Sequence, residues 1–211
     1  MTDALIFYTN PMSRGQIVRW MLEEVGEPYE TQVLDYKTSM KAEPYLAINP
    51  MGKVPAIRHG GTVVTEVAAI CAYLADAFPA AGLAPPVDQR GAYYRWLFFA
   101  AGPVEAAFSN KAAGFEPTPE RRAMFGYGTF DLTIDTLEKA VAGKQFVAGD
   151  RFSAADLYVA SEIGFMLQFG LLAPRPTFSD YVARMTGRPA YLRAKKIDGD
   201  LIAAMTPAPP A

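Results

Sequence analysis

Strand signals occur only before about residue 80 of this 211-residue chain, and that restriction limits the possible folds more than any other feature of the sequence. Leu5-Ile6-Phe7-Tyr8 reads as a short buried strand. After the turn at Asn10-Pro11, Ile17, Val18, Met21, Leu22 and Val25 fall on one helical face, and Gly26 closes that helix as a C′ glycine does. Tyr29 to Leu34 reads as a second strand, which completes a βαβ unit with parallel strands. Beyond the polar segment Asp35 to Asn49, two strand-like runs, Val54 to Arg58 and Thr62 to Val64, are joined by His59-Gly60-Gly61. Those are hairpin residue types, so the second pair is expected to be antiparallel. The next helix has Val67, Ile70, Cys71, Leu74 and Phe78 on one face and ends before Pro79.

The order βαβ-ββα describes a mixed sheet with helices, an α/β domain over residues 1–80. Residues 81–87 lie in a stretch rich in Ala, Pro and Gly and read as a linker. Residues 88–205 are expected to form an all-helical bundle domain, with helices over about 88–113, 120–142, 153–170, 178–187 and 189–204. Phe130, Ile134, Leu137 and Val141 trace one face, whereas Leu157 to Leu167 is apolar nearly all round, as in the central helix of a bundle. Residues 206–211, with three prolines in six positions, are expected to be a flexible tail.

Composition removes several function classes. With 51% hydrophobic and 20% charged residues the chain is of globular type. Its longest apolar stretch, Leu157 to Leu172, is interrupted by Ser161, Glu162 and Gln168, short of a membrane span. The N-terminus lacks the basic and apolar regions of a signal peptide, so a cytoplasmic location is expected. One cysteine, Cys71, and one histidine, His59, offer neither an internal disulfide nor a metal site. A net charge of -2 with mixed signs offers no stripe for nucleic acid.

Three segments could carry chemistry. In Asn10-Pro11-Met12-Ser13-Arg14-Gly15, at the start of the first helix, Ser13 sits at or beside the N-cap, where free N–H groups and the helix dipole favour an anion. Taken alone, Ser13 is better explained as a cap. In Met51-Gly52-Lys53-Val54-Pro55-Ala56-Ile57, a proline at a strand start cannot donate a ladder bond. A cis Val54–Pro55 bond would leave the main chain of Val54 free to pair with an extended peptide. In Thr65-Glu66-Val67-Ala68-Ala69-Ile70, Glu66 at a helix start could favour the dipole or hold a ligand's ammonium.

Together, in this order and at these element ends, the three segments resemble the cytosolic glutathione transferases across their thioredoxin-like N-terminal domain, in particular the bacterial-like, serine-type members. The helical half adds Ser153-Ala154-Ala155-Asp156, a capping box that also resembles the family and marks Asp156 as a folding element. The resemblance implies that Ser13 donates to the glutathione thiolate. It also implies that Pro55 is cis, that Lys53 and Val54 line the glutathione site with Val54 pairing to the ligand's cysteine, and that Glu66 binds the γ-glutamyl ammonium. Val67 stands where the family usually has Ser or Thr, leaving its backbone N–H to serve the γ-glutamyl carboxylate. Tyr8 and Asn10 remain alternatives for the group facing the sulfur.

The implied activity is addition of the glutathione sulfur to a small hydrophobic electrophile held in an apolar cleft, by a homodimeric enzyme of detoxification type. The competing reading is a glutathione transferase-like binding or regulatory module without chemistry.

Overall fold

The computed structural model describes residues 4–205. Its first four strands and three helices run β1 (Leu5–Thr9), α1 (Gly15–Val25), β2 (Glu30–Val33), α2 (Tyr45–Ile48), β3 (Ala56–His59), β4 (Thr62–Thr65) and α3 (Val67–Ala77). The sheet order is β2-β1-β3-β4, with β1 and β2 parallel and the other two pairs antiparallel. This is the βαβ-ββα order read from the sequence. β1 is buried along its whole length. α1 buries Ile17, Val18, Met21 and Leu22, and α3 buries Val67, Ile70, Cys71 and Leu74, at the 3.6-residue spacing that gives a helix one apolar face. Gly26 ends α1 at φ 78°, donating its N–H to Leu22, a conformation that an L side chain adopts only with strain.

One departure and one close approach in this region have local causes. The segment 35–49 is not wholly irregular, since α2 forms within it and buries Tyr45 against the sheet residues Tyr8 and Ala56. Gly15 is confined to glycine by close approach, because a Cβ there would meet the Thr9 hydroxyl oxygen at 2.0 Å.

The helical region comprises α4 (Gly91–Phe99), α5 (Glu105–Ala112), α6 (Phe130–Val141), α7 (Ala154–Gln168) and α8 (Pro176–Thr186). The single helix expected over 88–113 is divided by a π-helical stretch, Ala100–Val104, that contains Pro103. A proline has no N–H to give an i−4 carbonyl, and the wider turn accommodates that loss. The helix expected over 120–142 likewise breaks. Pro119–Met124 is a 3-10 turn, Gly128 takes φ 67°, and α6 starts afresh with the Thr129 hydroxyl accepting from Leu132 N–H at 3.1 Å. α7 is buried on most sides, as expected of the bundle's central helix.

The chain divides into two compact units, Met1–Ala81 with Arg188–Ala211, and Gly82–Gly187. This corrects the assignment of 189–204 to the helical domain: α9 (Pro189–Met205) packs on α1 instead. The fully buried Arg19 pairs with Asp198 at 3.0 Å, Arg188 grips Glu24 at 2.6 and 2.8 Å, Arg193 reaches Glu23 at 3.0 Å, and Tyr191 meets Trp20 edge-on. Removing one partner of a buried pair such as Arg19–Asp198 leaves a stranded charge, typically about 3–5 kcal/mol. The tail expected at 206–211 lies outside the described residues.

Candidate functional site

The register of the sheet brings the three candidate segments to one end of the first unit. Tyr8 pairs with Ala56, and Ala56 with Thr65. The residues just beyond these partners are Thr9 at the end of β1 and Asn10 after it, Val54 and Pro55 before β3, and Glu66 and Val67 after β4. They therefore leave the sheet at the same edge, although the three segments are far apart in the chain.

In the loop between β1 and α1, Ser13 is half-buried. Its hydroxyl donates to the Asn10 carbonyl at 2.7 Å and its oxygen accepts the N–H of Gly15 at 2.9 Å. Ser13 thus caps α1 from one position outside the helix, and its oxygen is polarised by a main-chain donor. The two alternatives to Ser13 are engaged elsewhere. Asn10 is buried, with its amide nitrogen donating to Leu34 O at 2.9 Å and its amide oxygen accepting from Met12 N–H at 3.0 Å, so it pins the loop to the sheet. Tyr8 is buried, with its ring against that of Tyr45. A residue that the sequence does not single out, Tyr36, brings its hydroxyl to Ser13; burial raises its pKa and the hydrogen bond with Ser13 opposes the rise.

Before β3, the Val54–Pro55 bond is cis. Lys53 is exposed, Pro55 is buried, and the Val54 side chain packs against the cluster of Tyr8, Tyr45 and Ala56. Among the described residues the N–H and C=O of Val54 have no hydrogen-bond partner. The segment is held by residues without an obvious mark in the sequence. Tyr45 and Asn49 both donate to the carbonyl of Lys53, at 2.5 and 2.9 Å, and Lys41 donates to the carbonyl of Gly52. Asn49 also receives Met51 N–H on its side-chain oxygen at 3.1 Å. The only sequence signal for this was Asn49-Pro50 ahead of Gly52, turn residue types at the end of a segment read only as polar.

After β4, Glu66 is exposed and holds φ 67°, the one positive φ outside glycine among the described residues. Its carboxylate has no hydrogen-bond or ion-pair partner among the described residues. Such a conformation costs roughly 1–3 kcal/mol and persists only where the surroundings impose it. Val67 opens α3 with its side chain buried, and its N–H is one of the helix's unpaired first donors.

The set therefore offers a hydroxyl at a helix start, an unpaired main-chain edge, a free carboxylate and a free helix N–H. These suit an extended peptide that carries an ammonium group and an anionic centre. Burial pushes the Cys71 thiol up to about 12, so it stays protonated. Surface cavities of about 830 and 430 Å³ in the second unit border residues 144–153, where the ionisable groups Arg95, Lys144 and Asp150 are exposed. Among the described residues no group of His, Cys, Asp and Glu could hold a metal ion, and no helix is long and apolar enough to cross a membrane.

Comparison with known proteins agrees with this geometry. Residues 12–77 match the family described as "Glutathione S-transferase, N-terminal domain", and residues 130–189 match "Glutathione S-transferase, C-terminal domain". Glutathione S-transferase hmp2 of Hypomyces subiculosus is 36% identical over 91 residues, 42% of each chain. Glutathione S-transferase GstA of Escherichia coli O157:H7 is 35% identical over 105 residues, 47% of this chain and 51% of the relative. The matched stretches span about half the length of these curated relatives. Among solved structures, a glutathione transferase from Methylococcus capsulatus aligns with a TM-score of 0.77 at 28% identity, covering 93% of this chain and 99% of the other. A sphingomonad glutathione S-transferase complexed with glutathione aligns at 0.76 and 29%, covering 92% and 98%. With both domain families matched, in order and on the expected fold, the chain belongs to the glutathione S-transferase family.

Proposed function

We propose that this protein binds glutathione at the common edge of β1, β3 and β4 and activates its thiol for attack on a small hydrophobic electrophile. The observation that carries the reading is the convergence of Ser13, the unpaired main chain of Val54, and Glu66 with Val67 on one edge. Glu66 takes the γ-glutamyl ammonium, Val67 N–H the adjoining carboxylate, and Val54 the cysteinyl main chain, with Lys53 and Pro55 flanking it.

Ser13 supplies the activation. A free thiol has a pKa near 8.5, and lowering it by about two units corresponds to roughly 2.7 kcal/mol. The Ser13 proton, directed at the Asn10 carbonyl without ligand, turns to the sulfur. Asn10 O is not orphaned by that turn, because it keeps the Ser13 N–H at 3.0 Å. The Gly15 N–H on the Ser13 oxygen strengthens the hydroxyl as a donor. Ser13 is neither base nor nucleophile here; the glutathione sulfur forms the new bond. A homodimer and a cytoplasmic, detoxifying role accompany this reading through the family resemblance.

The test is the thiolate absorbance of the glutathione complex against pH, for the natural protein and Ser13→Ala. The variant should titrate at higher pH, with turnover lost near neutrality and largely recovered where the thiol ionises unaided. Superimposable curves would remove Ser13 from the mechanism. One observation favours a second reading, a non-catalytic binding module: Val67 gives no hydroxyl where the ligand's carboxylate would lie. Calorimetry with glutathione separates the two, since loss of a charge-assisted hydrogen bond weakens binding about tenfold or more.

A further inference from the structure

We infer that Tyr45 and Asn49 are positioning residues for glutathione, acting through the carbonyl of Lys53 to aim the N–H of Val54 at a peptide carbonyl of the ligand. This role rests on the proposed glutathione site and extends it to two side chains that do not touch the ligand.

A peptide group is planar, so the C=O of Lys53 and the N–H of Val54 belong to one rigid unit and point in opposite directions. Whatever fixes the carbonyl fixes the donor. Two side chains fix it: Tyr45 Oη at 2.5 Å and Asn49 Nδ2 at 2.9 Å, two donors for the two lone pairs of that oxygen. Both donors are themselves held. Tyr45 is 3% exposed, with its ring packed on Tyr8 at 5.6 Å between centroids. Asn49 is 4% exposed, its N–H bonded to Tyr45 O at 2.9 Å and its side-chain oxygen to Met51 N–H. The clamp continues one residue upstream, where Lys41 holds Gly52 O and Gly52 takes φ 56°.

The opposite side of the same plane is left open. Val54 N–H has no partner among the described residues, while the Val54 side chain is anchored in the core cluster that contains Tyr45. A buried tyrosine hydroxyl and a buried carboxamide are thus committed to orienting one peptide whose far face is unused. Holding that donor in place before a ligand arrives removes an ordering cost from binding. The effect falls on affinity for glutathione and not on the ionisation of its thiol, which belongs to Ser13.

The test uses the full-length protein and calorimetry with glutathione, alongside an analogue in which an ester replaces the cysteinyl–glycine amide and so offers a weaker acceptor carbonyl. Tyr45→Phe should raise the glutathione dissociation constant about fivefold, the equivalent of one ordinary hydrogen bond, and leave the thiolate titration of the complex unchanged. Asn49→Ala should do the same, and the double variant should lose less than the product of the two. The affinity gap between amide and ester should narrow in both variants, so that the ratio of ester to amide affinity rises toward one, a change that mere loss of stability would not produce. If the natural protein binds glutathione and Tyr45→Phe and Asn49→Ala bind it equally well with the same ester-to-amide ratio, the inference is wrong and the functional reading stands. If the natural protein itself does not bind glutathione, the functional reading fails and this inference falls with it.

Discussion

Helices α3 and α7 each start beside an acidic side chain, and the two carboxylates end in opposite conditions. Asp156 is fully buried, and its oxygens accept from Val147 N–H at 2.7 Å, Ser153 N–H and Ser153 Oγ at 3.0 Å, and Tyr181 OH at 2.8 Å. Burial raises its pKa and the hydrogen bonds oppose the rise. Glu66 is exposed, has no side-chain partner among the described residues, and sits in a backbone conformation that disfavours any side chain. A helix start alone therefore does not distinguish an acid that the fold uses from one that it leaves free. What distinguishes them is whether the fold already uses the oxygens.

The largest expected effect would break the comparison on the α7 side. Asp156→Ala removes the acceptor from two buried main-chain N–H groups and a buried tyrosine, and should cost about 3–5 kcal/mol in a denaturant titration. A loss under about 1 kcal/mol would mean that the α7 network is dispensable. The same residue sets a pH signature. Its folded pKa lies above its unfolded one, so its stabilisation is complete below the ordinary carboxylate range and declines as pH rises through the raised folded value. The stability difference between the natural protein and Asp156→Asn should accordingly fall with rising pH through that window and then level off. A difference that grows instead would show the hydrogen bonds outweighing burial.

On the α3 side the order of effects reverses. Glu66→Ala should weaken glutathione binding about tenfold, as expected for a lost charge-assisted hydrogen bond, while stability changes by less than about 0.5 kcal/mol. Equal affinity by calorimetry would remove Glu66 from the proposed binding site. Glu66→Gly sharpens the contrast further, because glycine accepts φ 67° without a Cβ penalty. It should bind glutathione as poorly as the alanine variant and yet be more stable by about 1 kcal/mol. A glycine variant no more stable than the natural protein would show that the conformation carries no strain.

The candidate site was legible to the extent that its signals are local. Ser13 beside a helix start, Pro55 at a strand start and Glu66 at a hairpin's exit each carry a steric or hydrogen-bonding constraint readable within a few residues. Asn49 and Tyr45 were not legible, because their acceptor is a main-chain carbonyl four and eight residues away across an irregular loop. No side-chain pattern marks such a bond in advance. Pro103 and Gly128 were visible as breakers in principle, but the apolar periodicity on either side runs through them, and two helices were read as longer than they are.

The sequence by itself determined the element order of the first region, the parallel or antiparallel sense of its strand pairs and the all-helical character of the second region, since these depend on periodicity, turn residues and capping. It also determined the capping box at Ser153 and Asp156, whose members lie three residues apart. Only the tertiary structure decided that α9 returns to pack on α1, through the buried Arg19–Asp198 pair separated by 179 residues. It also decided that Ser13, Val54 and Glu66 share one edge, through the register of β1, β3 and β4. The physical reason is the same in both cases. Periodicity and capping are short-range terms of the chain, whereas burial of a charge pair and the alignment of strands are fixed only when distant segments exclude water from one another.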